Sequence, residues 1–461
     1  PVTPIPAIQG SGASSPLLGQ TVTTGGVVTK VIPGYGWFLQ DDIGDGDAAT
    51  SDGLFVYAPA VAAVVGNRMR LTGIVAEFNG LTELTGVSAV NVLGSGNAIP
   101  LPANIVFPEV TEGDLERYES MLVRINTELT VAQNYFQGRY GEVTLAAGGR
   151  LEKPTNRYLP DSTEALALAE DNARRRITLD DGSNLQNPNP IPYIGTDNTL
   201  RAGDTVNGLT GVLYAGAVSD SLRDFKLHPT EAPVFVRANP RETQPQQVGG
   251  NVKVASFNVL NYFSTLDQAG AQCFPSLTRS DCRGADSVAE FERQRAKIVA
   301  ALIALDADVV GLMEIENNNN GAVENLVQAL NSSLGGNVYA SVPMPVGGTG
   351  SDAIRVAMIY KPDRVNLAGV AVSDTDPVHH RPPLAQSFDA ANGERFSVIV
   401  NHFKSKGSCP ANAGDINADQ GDGQGCWNPL RVEQAQALRA FIADLQAASG
   451  DMDVLVIGDL N

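Results

Sequence analysis

Residues 453–461 read Asp453-Val454-Leu455-Val456-Ile457-Gly458-Asp459-Leu460-Asn461, and this stretch decides the predicted fold of the second half of the chain. Four apolar residues in a row, bounded by turn residues, predict a buried strand. The strand would deliver a carboxylate and a carboxamide at the rim of a sheet, where α/β proteins usually place their chemistry. The stretch therefore predicts an α/β sheet with a functional site at its edge.

Three apolar runs upstream end in polar side chains in the same way. Segments between the runs show helical apolar spacing, and this alternation is typical of helices that cover a sheet. Four strands would then bring an amide, a carboxylate, an imidazole and an Asp with an Asn to one edge. The runs are residues 252–258, 307–314 and 396–402, ending at Asn258, Glu314 and His402, and the helical segments are residues 288–306, 322–334 and 429–449.

These residue types share a chemical logic. Hard divalent cations take oxygen ligands, usually one or two carboxylates with waters and substrate phosphates, so Glu314 with help from Asn258 is a candidate seat for Mg²⁺ or Mn²⁺. His402 can give a hydrogen bond or a proton to a phosphoryl oxygen, and Asp459 can orient or deprotonate a water. Asn461 can donate to a phosphoryl oxygen, so the set is suited to hydrolysis of a phosphodiester.

The segments around these residues resemble the signature segments of the endonuclease/exonuclease/phosphatase family, which has the DNase I-like fold. They read SFNV, GLMEIEN, NHFKSKG and GDLN, and the wider pattern is similar to the secreted bacterial nucleases of the ExeM type. The resemblance implies a four-layer α/β sandwich over residues 251–461. It also puts the family's phosphate-contacting arginine at Arg381, because a guanidinium can clamp two phosphoryl oxygens. Arg355 is the rival candidate.

The sequence departs from the family pattern at its last residue, Asn461. The family normally continues past GDxN with strands that carry a second Asp and a Ser-Asp-His segment, whose His is the partner of the first one. We therefore expect the domain in residues 251–461 to be incomplete and the sequence to be a fragment of a longer protein.

The formal net charge of −19 argues against a wholly basic nucleic-acid coat. Lys404 and Lys406 nevertheless place positive charge beside the predicted site, so we expect them to contact the substrate backbone. No apolar run approaches the ~20 residues that a membrane helix needs. The sequence begins at Pro1 without an apolar leader, which fits a processed secreted protein.

Four cysteines lie in two close pairs, Cys273 with Cys282 and Cys409 with Cys426. Two local disulfides are the simplest of the three possible connectivities. A metal site made of all four thiolates is the alternative, although neither pair has C-x2-C or C-x4-C spacing. Local disulfides predict a secreted protein, either extracellular or periplasmic.

The first half of the chain reads as β structure. Residues 20–100 contain five short strands with Gly, Asn and Asp turns, which predict a barrel of the oligonucleotide/oligosaccharide-binding (OB) kind. Residues 101–235 contain similar strands and an insertion at 151–194, which we expect to be a long loop with a short helix around residues 162–174. They predict a second OB-like barrel or, as the alternative, one irregular β domain. An extended lead-in at residues 1–19 precedes this part, and a polar, Pro-rich linker at residues 236–250 follows it.

Two groups of residues in the first predicted barrel could bind ligands. Alternating Asp and Gly in residues 41–52 could point several oxygens at a Ca²⁺ ion, but the spacing does not match an EF-hand, and a solvated acidic turn is the alternative. Four aromatic residues could form a base-stacking platform, although we interpret them as core. The carboxylates are Asp41, Asp45, Asp47 and Asp52, and the aromatic residues are Trp37, Phe38, Phe55 and Tyr57.

The sequence thus predicts a multidomain, secreted, metal-dependent nuclease that hydrolyses phosphodiesters of DNA, and of RNA as a further substrate, by in-line water attack. Its partner would be nucleic acid, mainly extracellular DNA. One alternative is a phosphomonoesterase or a phospholipid or inositol phosphatase of the same family. Another is a non-catalytic module that binds nucleic acid or glycan and carries a degenerate nuclease domain.

Overall fold

The chain forms two compact units, residues 1–241 and residues 242–461. The computed structural model describes residues 1–183, 185–218 and 223–461. The boundary between the units lies inside the polar linker predicted at residues 236–250. Within the described residues, none of the helices combines the length and the apolar character needed to cross a membrane.

The described part of the first unit is mainly β structure. Its helices are α1 (Ile5–Gln9), α2 (Gln137–Tyr140) and α3 (Thr163–Arg175). Its strands are β1 (Thr21–Ile32), β2 (Gly36–Gln40), β3 (Gly53–Tyr57), β4 (Arg68–Phe78), β5 (Leu81–Gly94), β6 (Ala103–Ile105), β7 (Leu122–Ile125), β8 (Leu129–Gln133), β9 (Glu142–Ala147), β10 (Arg176–Asp180), β11 (Thr205–Val206), β12 (Leu209–Ala217), β13 (Arg223–Pro229) and β14 (Phe235–Val236).

Strands β1 to β5 close into a barrel in the order β1-β2-β3-β5-β4, with β4 pairing back to β1. Asn79 and Gly80 join β4 to β5 and both have positive φ, 54° and 85°, as a primed hairpin turn requires. Trp37, Phe38 and Phe55 are buried, as expected for core residues, whereas Tyr57 is partly exposed. The assignment of this barrel to the OB kind remains a prediction.

The lead-in is not wholly extended as predicted, because it contains α1. Ile5 and Ile8 lie three residues apart on one helix face, and both are fully buried in the barrel core. The prolines did not exclude a helix here, since Pro is tolerated in the first helical turn and Pro6 stands there.

The rest of the first unit is a nine-stranded sheet with the order β14-β11-β8-β9-β10-β13-β12-β7-β6. Its six central strands repeat the order of the barrel if β7 and β8, three residues apart, are counted as one bent strand. The direction of strand pairing is repeated as well. In the barrel β3 is parallel to β5, and among the six central strands of the sheet β10 is parallel to β13. Among the described residues this sheet does not close into a barrel, so the second predicted barrel is observed as an open sheet.

The insertion predicted at residues 151–194 is not only a loop with a helix. It contains α3 where the helix was predicted, but β10 follows directly and is a central strand of the sheet. Only Ile177 and Leu179 are apolar in β10, and both are buried. Two alternating apolar residues next to three arginines gave too weak a strand signal for the sequence to reveal it.

Glu119 links the nine-stranded sheet to the barrel. Its Oε1 accepts hydrogen bonds from the backbone N–H of Thr82, at 3.0 Å, and from Nε2 of Gln9, at 3.3 Å. The residue is fully buried, and its Oε2 has no partner among the described residues. Burial, reinforced by the charge of Glu116, raises the pKa of this carboxyl to about 8.

The raised pKa predicts that Glu119 destabilises the fold at alkaline pH. Its contribution to stability is fully present below the unfolded pKa, and it is lost as the pH rises through the folded pKa, because the unfolded carboxyl ionises first. Glu119→Gln should therefore gain about 4 kcal/mol relative to wild type between pH 5 and pH 9. Denaturant unfolding of both proteins at several pH values measures this difference. The exposed Glu112→Gln is the matched control, and parallel pH profiles for wild type and Glu119→Gln would contradict the prediction.

The second unit alternates strands and helices. Its helices are α4 (Val288–Leu305), α5 (Gly321–Leu334) and α6 (Asn428–Ser449). Its strands are β15 (Val254–Tyr262), β16 (Val309–Glu316), β17 (Ala340–Ser341), β18 (Ile354–Tyr360), β19 (Val365–Ser373), β20 (Leu384–Ala390), β21 (Arg395–His402) and β22 (Val454–Asp459).

Two four-stranded sheets face each other in this unit, with the orders β15-β16-β18-β17 and β19-β20-β21-β22. Val309 and Met358 of one sheet pack with Phe388 and Val400 of the other. A side chain at Gly311 would lie 2.7 Å from both Val400 and Ile457, so the glycine permits this close approach. Helices α4 and α5 pack on the outer face of the first sheet and α6 on that of the second, which gives the four layers predicted.

The strand β22, which the sequence predicts to be buried, is partly exposed among the described residues. It pairs with β21 alone, and Leu455 and Val456 are 43% and 39% exposed. The apolar run identified a strand correctly, but an apolar run does not state how many neighbours a strand has.

Candidate active site

The four predicted strand ends meet at one edge of the second unit. Strand β15 is parallel to β16, and β21 is parallel to β22, with His402 in register with Asp459. Nδ2 of Asn258 lies 2.9 Å from Oε1 of Glu314 and 3.2 Å from Oδ2 of Asp459. One amide therefore joins a carboxylate of the first sheet to a carboxylate of the second.

Glu314 has an unusual backbone conformation. Its φ is +64°, in the left-handed region that non-glycine residues rarely adopt. The pairing of β16 with β18 shifts register between Leu312 and Ile315, so a bulge surrounds Glu314 and re-aims its side chain. Its Oε2 also accepts from the backbone N–H of Asn261, at 2.9 Å. Strain of this kind is concentrated at functional sites, because it persists only where the surroundings enforce it.

The carboxylates fit a divalent cation better than the amide does. Glu314 and Asp459 present oxygen atoms to the same Asn258 nitrogen, and Mg²⁺ needs only one or two protein carboxylates when waters and substrate complete its shell. The Oδ1 of Asn258 instead accepts from the N–H of Leu260, at 3.0 Å. No group of three or more His, Cys, Asp or Glu that could hold a metal occurs within residues 1–183, 185–218 and 223–461.

His402 ends β21 and is 4% exposed. Its Nδ1 has no hydrogen-bond partner in the part of the chain that the structure describes. Burial, followed by the nearby positive charge of Arg381, lowers the pKa of the imidazole to about 4. The imidazole is therefore neutral at neutral pH, so it can donate a hydrogen bond there but carries no additional proton to transfer.

Asp459 ends the last strand, β22, and Asn461 lies two residues beyond it. Gly458, between β21 and Asp459, has a φ of +131°, and a Cβ there would lie 2.1 Å from the carbonyl oxygen of Asn401, so only glycine fits. The N–H of Asn461 donates to Oδ1 of Asp459 at 3.0 Å, and its side-chain Nδ2 donates to the carbonyl oxygen of Phe403 at 3.1 Å. The amide of Asn461 is thus held by backbone in this structure.

Arg381 lies beside His402 and contacts the strand end. Its Nε donates to the carbonyl oxygen of His402 at 3.2 Å, and Nη2 donates to that of Phe403. Its Nη1 lies 3.9 Å from Oδ2 of Asp352. Burial lowers the pKa of this guanidinium, although it stays charged at neutral pH. Two of its nitrogens are therefore anchored and Nη1 faces a polar cavity.

That cavity has a volume of about 360 Å³ and combines cations with an aromatic ring. Arg283, Arg381 and Lys404 line it, and Arg283 forms an ion pair of 3.2 Å with Asp352. The ammonium of Lys404 lies 4.8 Å from the ring centroid of Trp427, which also lines the cavity. Positive charge beside a planar ring is an arrangement that suits a nucleic-acid backbone and a base.

The remaining predicted site residues differ in position. Lys406 is exposed and is not part of the cavity wall, whereas Lys404 is. Arg355 is 2% exposed and donates to the carbonyl oxygens of Val356 and Asn319 and to Oδ1 of Asn320. Burial lowers the pKa of its guanidinium to about 10. The prediction that Arg355 contacts substrate conflicts with this burial, since Nη2 is used to hold the loop after β16 and Nη1 donates to β18 itself.

Both predicted cysteine pairs are joined as disulfides, Cys273 with Cys282 and Cys409 with Cys426. The four-thiolate metal site is therefore wrong. Each bridge is followed directly by a residue of the cavity, Arg283 after the first and Trp427 after the second. The disulfides thus fix the bases of two residues that lie on separate loops.

Three aspartates of the acidic loop are used in local turns. Asp41 accepts from the N–H of Ile43, Asp45 from that of Asp47, and Asp47 from that of Ala49, so each carboxylate closes its own local turn. Asp52 is partly buried, which raises the pKa of its carboxyl. The prediction of a Ca²⁺ site gains no support from the described residues, because no metal-holding group occurs among them.

The sequence analysis missed Arg283, Asp352 and the role of Trp427. Arg283 lies in a loop far from every quoted motif, and Asp352 precedes β18 in a Gly- and Ser-rich segment. The only sequence signal was the position of Arg283 and Trp427 next to cysteines. Nothing in a single sequence shows that two cysteine loops meet.

The second unit can now be compared with known proteins. Residues 255–461 match the model of the Endonuclease/Exonuclease/phosphatase family. This match supports a DNase I-like domain over that segment of the chain. Members of the family are phosphoesterases. A comparison with curated proteins gives no match.

Three of the solved structures that are similar to this chain each cover less than half of it. The catalytic domain of human Nocturnin with bound sulfate is 18% identical, covering 46% of this chain and 64% of that one with a TM-score of 0.28. The Bacteroides thetaiotaomicron mannosyl-6-phosphatase Bt3783 is 14% identical, covering 46% and 65% with a TM-score of 0.28. A humanized D. rerio TDP2 is 15% identical, covering 38% and 61% with a TM-score of 0.26. The chain thus spans less than two thirds of each of these structures.

Proposed function

We propose that the second unit is the catalytic domain of a secreted, metal-dependent nuclease that hydrolyses phosphodiesters of DNA, with RNA as a further substrate. The observation that carries this proposal is the Asn258 bridge, which brings Glu314 and Asp459 from two sheets to one point. The left-handed φ of Glu314 supports it, because backbone strain in a bulged strand is concentrated at functional sites.

Each residue at the strand ends has a task in this proposal. Glu314 would hold Mg²⁺ or Mn²⁺, which when bound supplies a Lewis acid that offsets charge on the phosphoryl group. Asp459, which Asn258 orients, accepts a proton from the attacking water. Neutral His402 donates a hydrogen bond to a phosphoryl oxygen, and Arg381 adds a fixed positive charge beside it.

The cavity next to Arg381 favours a polymeric substrate over a small phosphate ester. Arg283 and Lys404 provide cations for a second phosphate, and Trp427 provides a ring on which a base can stack. A phosphomonoester has no second phosphate to place there. Two disulfides support secretion, because such bonds persist in oxidising compartments. The repeated strand order of the first unit supports two OB-like modules in that part of the protein.

A substrate comparison tests the proposal. The full-length protein is incubated with Mg²⁺ and, in parallel, with supercoiled plasmid, linear DNA, an RNA oligonucleotide and p-nitrophenyl phosphate. We expect the nucleic-acid substrates, DNA above all, to be cleaved much faster than the monoester, because the monoester has no second phosphate to fill the cavity beside Arg381. Faster hydrolysis of the monoester would identify a phosphatase instead. DNA binding without cleavage of any substrate would identify a binding module.

A further inference from the structure

The first unit contains a cavity of about 750 Å³ between the barrel and the nine-stranded sheet. Aromatic rings form one part of its wall. The rings of Tyr35 and Tyr57 are nearly perpendicular, at 83°, with centroids 5.9 Å apart. Both side chains are partly exposed, so this part of the wall is open to solvent. Perpendicular rings offer two π faces to a single ligand group.

Carboxylates form another part of the wall. Glu142 and Asp180 both line the cavity and share one cation, Lys226, whose Nζ lies 2.5 Å from Oε1 of Glu142 and 3.3 Å from Oδ2 of Asp180. Tyr214 donates a hydrogen bond of 2.6 Å to Oδ2 of Asp180. One ammonium of the wall therefore serves two carboxylates, and Lys30 lies close enough to Asp180 to interact with it electrostatically.

His228 contributes an acceptor without a partner. The side chain lines the cavity and is buried, and burial lowers the pKa of its imidazole, so the ring is neutral. Its Nε2 lies 3.5 Å from Oδ1 of Asp180, which places the ring hydrogen on Nε2. Nδ1 is then a lone-pair acceptor, and it has no partner among the described residues. A buried acceptor of this kind costs free energy until a donor reaches it.

Glu83 adds a third carboxylate to the cavity wall. It is 7% exposed, and no hydrogen bond to its side chain occurs among the described residues. Burial, with a smaller contribution from Glu77, raises the pKa of this carboxyl to about 7. Glu142 and Asp180 share Lys226, whereas Glu83 has no cation beside it among the residues of the cavity wall. An ammonium group beside Glu83 would favour its ionised form, whereas an anion would oppose it.

We propose that this cavity binds an organic cation through an alkylammonium group. The N–H donors of the ammonium match the carboxylate of Glu83 and Nδ1 of His228, which are both acceptors without partners. The faces of Tyr35 and Tyr57 attract the positive charge through cation–π interaction. A free polyamine and the lysine side chain of a basic peptide both supply this group.

Calorimetric titration of the full-length protein tests the proposal. The probes are spermidine, a tri-lysine peptide, adenosine and maltose, at physiological ionic strength so that the overall negative charge is screened. We expect spermidine to bind at one site and the two neutral compounds not to bind. Binding of tri-lysine as well would identify a peptide side chain as a source of the cation, and binding of spermidine alone would identify a free polyamine.

Matched variants locate the site. Glu83→Gln should weaken spermidine binding about tenfold, because a carboxylate–ammonium contact in a partly desolvated site is lost. Tyr57→Leu should weaken it several-fold through loss of a π face. Glu164→Gln and Tyr135→Leu change exposed residues of the first unit outside the cavity wall and should bind as wild type does. Thermal unfolding verifies that every variant is folded.

Three results would overturn the proposal. The first is that neither spermidine nor tri-lysine binds the wild-type protein. The second is that adenosine or maltose binds more tightly than spermidine, which would assign the cavity to a neutral ligand. The third is an equal loss of spermidine affinity in Glu83→Gln and in Glu164→Gln, which would mean that the acidic surface alone attracts the cation.

Discussion

Replacing Asp459 with Asn is expected to lower turnover on DNA by about 10²- to 10⁴-fold while leaving DNA affinity nearly unchanged. The carboxylate accepts hydrogen bonds from Asn258 and from the N–H of Asn461. The two bonds go to Oδ2 and Oδ1, so the single oxygen of an amide can keep one of them while the side chain keeps its size. An amide cannot accept a proton from water, so the chemical step loses its base. Single-turnover cleavage and DNA binding, measured on the same preparation, separate the two effects.

The outcome distinguishes three roles for Asp459. A fall in turnover alone supports the role of a general base. A loss of affinity alone would make Asp459 a substrate-positioning residue, and a loss of folded protein with normal specific activity would make it a structural one. Asp453→Asn, an exposed aspartate just before β22, is the matched control and should cleave DNA as wild type does.

Replacing Glu314 with Gln is expected to reduce Mg²⁺-dependent cleavage by about 10³-fold or more, because a metal contributes several kcal/mol of charge stabilisation. Gln keeps the size of the side chain and adopts the same left-handed backbone no more easily than Glu does. The loss is therefore one of charge and of one hydrogen-bond acceptor, and not of shape. Mn²⁺ binding, followed by electron paramagnetic resonance without substrate, should weaken in parallel.

Binding and cleavage are both needed to interpret Glu314. If Mn²⁺ binding is unchanged while cleavage falls, Glu314 acts on the substrate and the metal lies elsewhere. Unchanged cleavage would remove Glu314 from the site altogether. The exposed Glu433→Gln in α6 controls for the loss of one negative charge from the unit.

The sequence predicted the elements around the site well because each carries a strong local signal. Glu314 and His402 follow apolar runs that are long enough to be recognised as strands. His402 ends β21 as expected, whereas β16 continues for two residues past Glu314 and β15 continues past Asn258 to Tyr262. Parallel strands place their carboxyl ends at one edge, so convergence of the four ends followed from chain order and the alternation with helices.

Features that depend on long-range contacts could not be predicted in this way. The local sequence around an arginine at the start of an apolar run is the same whether its side chain faces solvent or the interior. Arg355 faces the interior, where it contacts a loop. The exposure of β22 depends on how many strands flank it. The strand β10 carries only two buried apolar residues, and its place in the sheet is set by its neighbours β9 and β13. The cavity next to Arg381 needs two loops whose meeting no local pattern encodes.

The most direct test of the central claim, that the strand ends around Asn258 form a phosphodiesterase site, is the initial rate of plasmid cleavage with Mg²⁺. It is measured for the full-length wild-type protein, Glu314→Gln and Glu433→Gln, with p-nitrophenyl phosphate hydrolysis measured alongside. We predict rapid plasmid cleavage by wild type and Glu433→Gln, almost none by Glu314→Gln, and slow hydrolysis of the monoester by all three. Plasmid cleavage by Glu314→Gln at the wild-type rate would contradict the account.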